Sequence, residues 1–398
     1  PDWVEYVSQD LPFEDGLSGE LSLEMEAMSP LYVRNGGAWT EEDRANEESP
    51  MHDFFVNLTG SSEERHYMIP GSSIKGALRN VLEIATFSKM SRIADSKYSM
   101  RMGRSKVRCK LSIGDAARNT SRKHFPNNNE GYVIDFADAL FGYVRGKNAL
   151  KGRVQVGHFK MLAAQNQDGN ENEPQSTWET VLGSPKPTYY PNYVVQNGRE
   201  CRLAESDRYV TYMDKFAKLR GWKRYPVRSV DDQPEQLDTR QKDSNEPGNI
   251  TVYFRPLKKG SVFKGKIRFH NLRPVELGAL LWVITLGGEK SRHHQVGLAK
   301  PLGFGRVRYL INYNDSIIIH PHKIHNKDSK YINCFISYME KSLDNKWEKS
   351  EQVQSLLMMS DSNFQNANIK LIYPSLNEYI KYKKDKRVLA KYLESQKG

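Results

Sequence analysis

The sequence predicts an α+β fold in which a strand–helix–strand unit occurs twice, and three stretches carry that prediction. From Gly16, apolar residues fall at Leu17, Leu21, Leu23, Met25 and Ala27 with acids and serines between them, the period-two pattern of a half-buried strand. After the turn Pro70-Gly71, the residues Ile74, Ala77, Leu78, Val81, Leu82 and Ala85 mark the buried stripe of one helix. Late in the chain, Pro274 suits the first position of a helix, and Val275 to Leu286 is almost wholly apolar, as in a helix buried on all sides.

The other elements fall between and around these. Residues 1–15 read as an irregular arm, and the first strand stops at Ser29-Pro30. Residues 31–68 form a long polar connection with the acidic run Glu41, Glu42, Asp43, Glu47, Glu48; connections of that length are functional or disordered. The helix of residues 72 to about 90 follows, with Ser72 or Ser73 as its cap. Asp135 to Val144 reads as a short helix ending at Gly142, and Lys151 to Met161 as a strand with Val154, Val156 and His158 on one face. Residues 163–250 are an irregular insertion with aromatic segments at Thr188–Val195 and Tyr209–Tyr225. Strands resume at Ile250–Pro256, Ser261–His270 and Arg306–Tyr313. Strand–helix–strand repeated is the ferredoxin-like (RRM-like) order. We expect one domain over 1–313 and a small, mostly helical extension over 314–398, with the basic tail residues Lys381, Lys383, Lys384, Lys386 and Arg387.

Composition narrows the partners. Fifty-nine Lys and Arg against 48 Asp and Glu give a net charge of +11 and a pI near 9.3, a balance that suits a polyanion or an acidic membrane surface. Mean hydropathy is −0.70. There is no long apolar run and no basic-then-apolar leader, so a soluble, unexported, cytoplasmic protein is expected. Cys109, Cys201 and Cys334 are odd in number and far apart, which fits neither a disulfide framework nor a paired zinc site. The charge is concentrated. Between Lys89 and His124 stand eleven Lys or Arg, among them Arg101, Arg104, Lys106 and Arg108, against only Asp95 and Asp115. Tyr98, Met100, Met102 and Phe125 are interleaved, as on a surface that grips phosphates and packs on bases. Arg220-Gly221-Trp222-Lys223-Arg224-Tyr225 has the same character; it reads equally as a hydrophobic clip or as a stacking segment.

Four motifs resemble one family. They are Ile69-Pro70-Gly71-Ser72-Ser73-Ile74-Lys75-Gly76, Ala139-Leu140-Phe141-Gly142, Lys151-Gly152-Arg153-Val154-Gln155-Val156, and the glycine loop Gly297 to Val307 with Gly303-Phe304-Gly305-Arg306-Val307. In this order and rough spacing they resemble the RAMP superfamily, the repeat-associated RNA-binding proteins of CRISPR systems. The pattern is similar to the backbone subunits of type III effectors. The resemblance implies a RAMP fold with long loop insertions, partners in guide and target RNA and other effector subunits, and no membrane. Independently of it, the first turn of the Ser72 helix, with Lys75 and Arg79, is a plausible anion site. The resemblance adds Lys300, Gly303, Phe304, Gly305 and Arg306 as RNA-binding residues. Bulkier residues at Gly303 and Gly305 are expected to remove RNA association at little cost to the fold.

No Walker loop, zincin helix, nucleophile elbow or Cys pair is present. His320, His322 and His325 read as a polar surface cluster, and His293-His294, just before the glycine loop, as a contact for a phosphate or base. In the resembled family, cleaving subunits carry an acid on the long loop after the first strand, acting with a divalent metal and the RNA 2′-hydroxyl. Asp53, Glu48 and Asp43 are the corresponding candidates, with Mg2+ or another divalent cation and no organic cofactor. Glu48-Ser49-Pro50-Met51 departs from the family pattern in having Glu for Asp. Rival readings are a guide-processing endoribonuclease using His52, His66 or His293, and an unrelated ferredoxin-like enzyme whose glycine loop holds a nucleotide.

Overall fold

The computed structural model describes residues 1–8, 10–35, 46, 54–57, 66–89, 97–102, 105–121, 133–162, 176–182, 193–196, 210–222, 224–229, 251–320, 323–324 and 329–363. In chain order the strands are β1 (Leu17–Ala27), β2 (Val56–Asn57), β3 (His66–Ile69), β4 (Ser99–Met102), β5 (Ser105–Arg108), β6 (Tyr143–Arg145), β7 (Asn148–Leu150) and β8 (Val154–Val156). They continue as β9 (Phe159–Met161), β10 (Trp178–Val181), β11 (Thr251–Phe254), β12 (Val262–Leu272), β13 (His294–Gln295), β14 (Arg306–His320) and β15 (Lys323–Ile324). The helices are α1 (Gly71–Ala85), α2 (Ile113–Thr120), α3 (Phe136–Phe141), α4 (Pro274–Thr285), α5 (Ser329–Ser342) and α6 (Glu351–Ser360). The chain forms two compact units, one of residues 1–86, 134–182 and 225–372, the other of 87–133, 183–224 and 373–398.

The first unit is built on an antiparallel sheet ordered β13–β14–β1–β12–β9–β3–β2, with β8 also on β12 and β15 on β14. Its centre, β14–β1–β12–β8/β9, places the fourth, first, third and second strands of the repeat side by side, the ferredoxin-like arrangement of an α+β fold. The period-two pattern of β1 does what the spacing predicts: Leu17, Leu21, Leu23, Met25 and Ala27 are all fully buried. Phe263, Ile267 and Phe269 do the same on β12. Helix α1 buries Ile74, Leu78, Val81 and Leu82, and α4 buries every residue from Glu276 to Ile284. Each fully buried large apolar side chain is worth about 1.5–3 kcal/mol relative to exposure, so these two helices and the inner sheet face form the core.

The chain after Tyr313 belongs to this unit. Strand β14 runs on to His320, and α5 buries Tyr331 and Phe335, Phe335 meeting Trp282 and Trp347 at 5.9 and 5.3 Å. Trp347 Nε1 and Gln352 Nε2 donate to the carbonyls of Ala85 and Ile84, groups that a helix end leaves without internal partners. The N-terminal arm is fastened too: Asn271 Oδ1 accepts from Phe13 N at 2.7 Å, and Arg273 pairs with Asp15.

Three local expectations are corrected. Neither Ser72 nor Ser73 caps α1; the helix starts one residue earlier, at Gly71, with Pro70 in the cap position and no side-chain cap. The strand expected over Lys151–Met161 is broken at Gly157-His158, where His158 Nδ1 accepts from Gly71 N at 3.1 Å. The insertion over 163–250 contains a strand, β10, paired with β11. The second unit holds the β4–β5 hairpin and α2, capped reciprocally by Ser112 and Asp115. Its core is Cys109, Ala116, Val194, Tyr212 and Ala217.

Candidate nucleic-acid interface

The motif pieces of the first unit meet, but largely through the interior. Lys75 Nζ donates to the carbonyl of Phe141 at 2.9 Å, and Arg79 donates to Gly142 O and Asp138 Oδ1 at 2.6 Å each and to Glu83 Oε1 at 2.8 Å. Burial lowers the Lys75 pKa, with Arg79 adding to the effect. Burial also opposes the Arg79 charge, yet its bonds to Glu83 and Asp138 hold the guanidinium above its ordinary value. Helix α3 is placed for this contact by its ends: Asp135 accepts from Asp138 N, and Gly142 turns the chain at φ +74°. A Cβ on Gly142 would strike Leu150 O and Gly152 N. Arg153 completes the knot. Fully buried, it pairs with Glu276 and donates to Ala139 O and Asn271 O.

The glycine loop is likewise pressed inward. Gly305 N donates to Pro30 O and Leu298 N to Tyr32 O. Gly297 and Gly305 have φ of +84° and +76°, and a Cβ on either would collide with the Tyr32 or Val296 carbonyl. A side chain at Gly305 therefore strains the fold itself, contrary to the expectation that it would spare it. Phe304 is fully buried against Phe254 and Trp178. Arg306 is 4% exposed, its guanidinium donating to the carbonyls of Met28, Arg228 and Ser229. Lys300 and Gly303 are half-buried on the loop's 3-10 turn. His293 and His294, expected to touch a phosphate or base, are instead buried; burial, then the Arg306 charge, lowers the His293 pKa to about 4.

What remains open to solvent lies elsewhere. Ser72 and Ser73 are exposed on the first turn of α1. In the second unit, Lys106 and Arg108 stand two residues apart on β5, on one face of the hairpin, with Lys97 and Lys110 exposed at its base. None of these four cations has an ion pair among the described residues. Arg101 lies opposite Lys106 in the hairpin register; Arg104 falls outside the described residues. So do Asp43, Glu48, Asp53, His52, His322 and His325. The acidic segment is described only at its base, where Arg34 stands opposite Phe54 and Phe55 N donates to Val33 O at 2.8 Å. Among the described residues no group of three His, Cys, Asp or Glu could hold a metal, and no helix is long and apolar enough to cross a membrane.

The first unit has a ferredoxin-like fold, and the second carries an exposed basic hairpin. Residues 24–308 match the family model of the RAMP superfamily, and the chain belongs to that superfamily. Among solved structures, it is similar to a chain of the "Type IV-B CRISPR Complex" at TM-score 0.34 and 14% identity, covering 74% of this chain and 90% of that one. It is also similar to the "Crystal structure of Thermofilum pendens Csc2" at TM-score 0.33 and 13% identity, covering 91% of this chain and 88% of that one. No curated protein sequence matches it.

Proposed function

We propose that the chain is a guide-RNA-binding backbone subunit of a type III CRISPR ribonucleoprotein effector, acting in antiviral defence in the cytoplasm beside other subunits on a guide–target duplex. The observation that supports this most is a set of exposed cations, Lys106 and Arg108 on one hairpin and Lys97 and Lys110 at its base, that make no ion pair among the described residues of this RAMP superfamily member. Such a surface holds phosphates by charge and is indifferent to sequence, so specificity falls to pairing between guide and target. Ser72 and Ser73 offer hydroxyls at a helix N-terminus, which favours phosphate, and Lys300 and Gly303 contribute at the glycine loop. Within the first unit, Lys75 and Arg79 fix the start of α1 against α3, and Phe304, Gly305 and Arg306 fix the glycine loop.

The proposal extends to cutting target RNA. Asp53 directly precedes the clamped position Phe54, with Glu48 and Asp43 earlier on the same segment. Carboxylates of this kind take a divalent cation such as Mg2+, which supplies Lewis-acid chemistry when bound. The test is to express the chain with its genomic neighbours and purify it by a tag. Guide-length RNA and partner subunits are expected in the eluate. A protein that elutes without nucleic acid or partners under low salt contradicts the proposal.

A further inference from the structure

The second unit carries an exposed aromatic that the basic hairpin does not explain. Phe216 is 65% exposed, yet the turn beneath it is fastened on every side. Asp214, itself buried, accepts from Thr211 N at 2.9 Å, and Ala217 N returns a bond to Asp214 O. Asn119, near the end of α2, donates to Lys215 O at 2.8 Å and to Ala217 O at 3.2 Å. Leu219 N donates to Thr120 Oγ1, and Lys218 O accepts from Val195 N. Ala217 is fully buried in the core of the unit. The residues on both sides of Phe216 are thus fixed, while its ring is left in water. On its flanks Lys215 and Lys218 are exposed and make no ion pair among the described residues.

A single exposed aromatic is ordinary on a protein surface. A rigidly mounted one between two exposed lysines has the parts of a single-strand contact: a flat apolar face for a base, and a cation on each side for the neighbouring phosphates. We infer that Phe216 is a stacking platform for an unpaired nucleotide of bound RNA, with Lys215 and Lys218 on the phosphates beside it. The inference rests on the RNA-binding reading above. Pre-mounting the ring means that little freedom is lost when a base lands on it, and stacking on one ring accepts any base, in keeping with a sequence-tolerant protein.

The experiment uses the full chain and two labelled oligonucleotides of about 12 nucleotides, one normal and one abasic throughout, so that both carry the same phosphates. Phe216→Ala is expected to weaken binding to the normal strand about fivefold or more and to leave binding to the abasic strand unchanged. Phe216→Trp is expected to keep parental affinity and to lose indole fluorescence when the normal strand binds. Phe216 is 65% exposed, so both variants should unfold close to the parental temperature. Equal loss on both strands, Phe216→Ala within twofold of the parent on the normal strand, or a tryptophan signal unmoved by RNA overturns the inference while leaving RNA binding intact. Loss of a protein partner with RNA binding unchanged also overturns it. A parent that binds neither strand overturns this inference and the RNA-binding reading together.

Discussion

Replacing Arg153 by Met should be among the most damaging single changes in the first unit. Its side chain and that of Glu276 are both fully buried. The guanidinium donates to both oxygens of Glu276 and to the carbonyls of Ala139 and Asn271, while Glu276 also accepts from Arg273 N at 2.9 Å at the start of α4. Methionine fills most of the volume and supplies none of the donors, leaving a buried carboxylate and two carbonyls short of partners. Breaking a buried pair in this way costs about 3–5 kcal/mol, a large share of the roughly 5–15 kcal/mol that holds a folded domain together. Arg153→Lys keeps the charge but cannot reproduce the planar fork, so it should fall between. The double variant Arg153→Met, Glu276→Leu removes both charges and should recover much of the loss. Urea unfolding followed by circular dichroism measures all three. If Arg153→Met unfolds within about 0.5 kcal/mol of the parent, the range of an unremarkable surface change, the reading of this pair as the bolt joining β8, α3 and α4 is wrong.

Other outcomes follow from the same structure. His293 is neutral when folded, its pKa lowered from 6.5 to about 4. The unfolded chain therefore takes up the proton first, and stability present above pH 6.5 should decline by up to about 3 kcal/mol as pH falls to 4. Chemical denaturation across that range should show a shallower decline for His293→Gln. Gly305→Ala should cost about 1–3 kcal/mol from its positive φ and the Val296 carbonyl, seen as a lower unfolding temperature, with RNA binding lost only where folding is lost. If the chain cuts target RNA, one of Asp43→Ala, Glu48→Ala and Asp53→Ala should slow a cation-dependent cleavage assay by orders of magnitude with target binding unchanged; three variants at the parental rate make the acids spectators.

The parts of the fold that rest on local pattern were legible in the sequence. The alternation of β1, the stripe of α1, Pro274 opening α4, and Asp135 with Gly142 bounding α3 are all short-range signals, and all appear where they point. Long-range partners leave no such mark. Lys75 and Arg79 read as cations beside a helix N-terminus, but their partners at Asp138, Phe141 and Gly142 lie about sixty residues away and take up those donors inside the fold. Arg306 follows a glycine loop and looks available; three carbonyls from two distant segments enclose it. His158 continues the apparent period of a strand, and only the approach of Gly71 shows why the strand breaks there. Phe216 lies within the aromatic segment Tyr209–Tyr225, and its residue type alone gives no sign of its exposure. Its exposure follows from the Asn119 and Asp214 bonds that fix its turn, which no spacing announces.

The central claim is that the chain binds RNA by charge through its exposed basic hairpin, and a salt series measures that directly. Filter binding of single-stranded RNAs of several sequences to the parent and to the double variant Lys106→Ala, Arg108→Ala should give straight log–log plots, with a slope of roughly −0.7 for each phosphate neutralised. Affinity should be similar across sequences, and the double variant should lose about 1.4 of the slope. A flat response to salt, a strong preference for one sequence, or a double variant with the parental slope would contradict it.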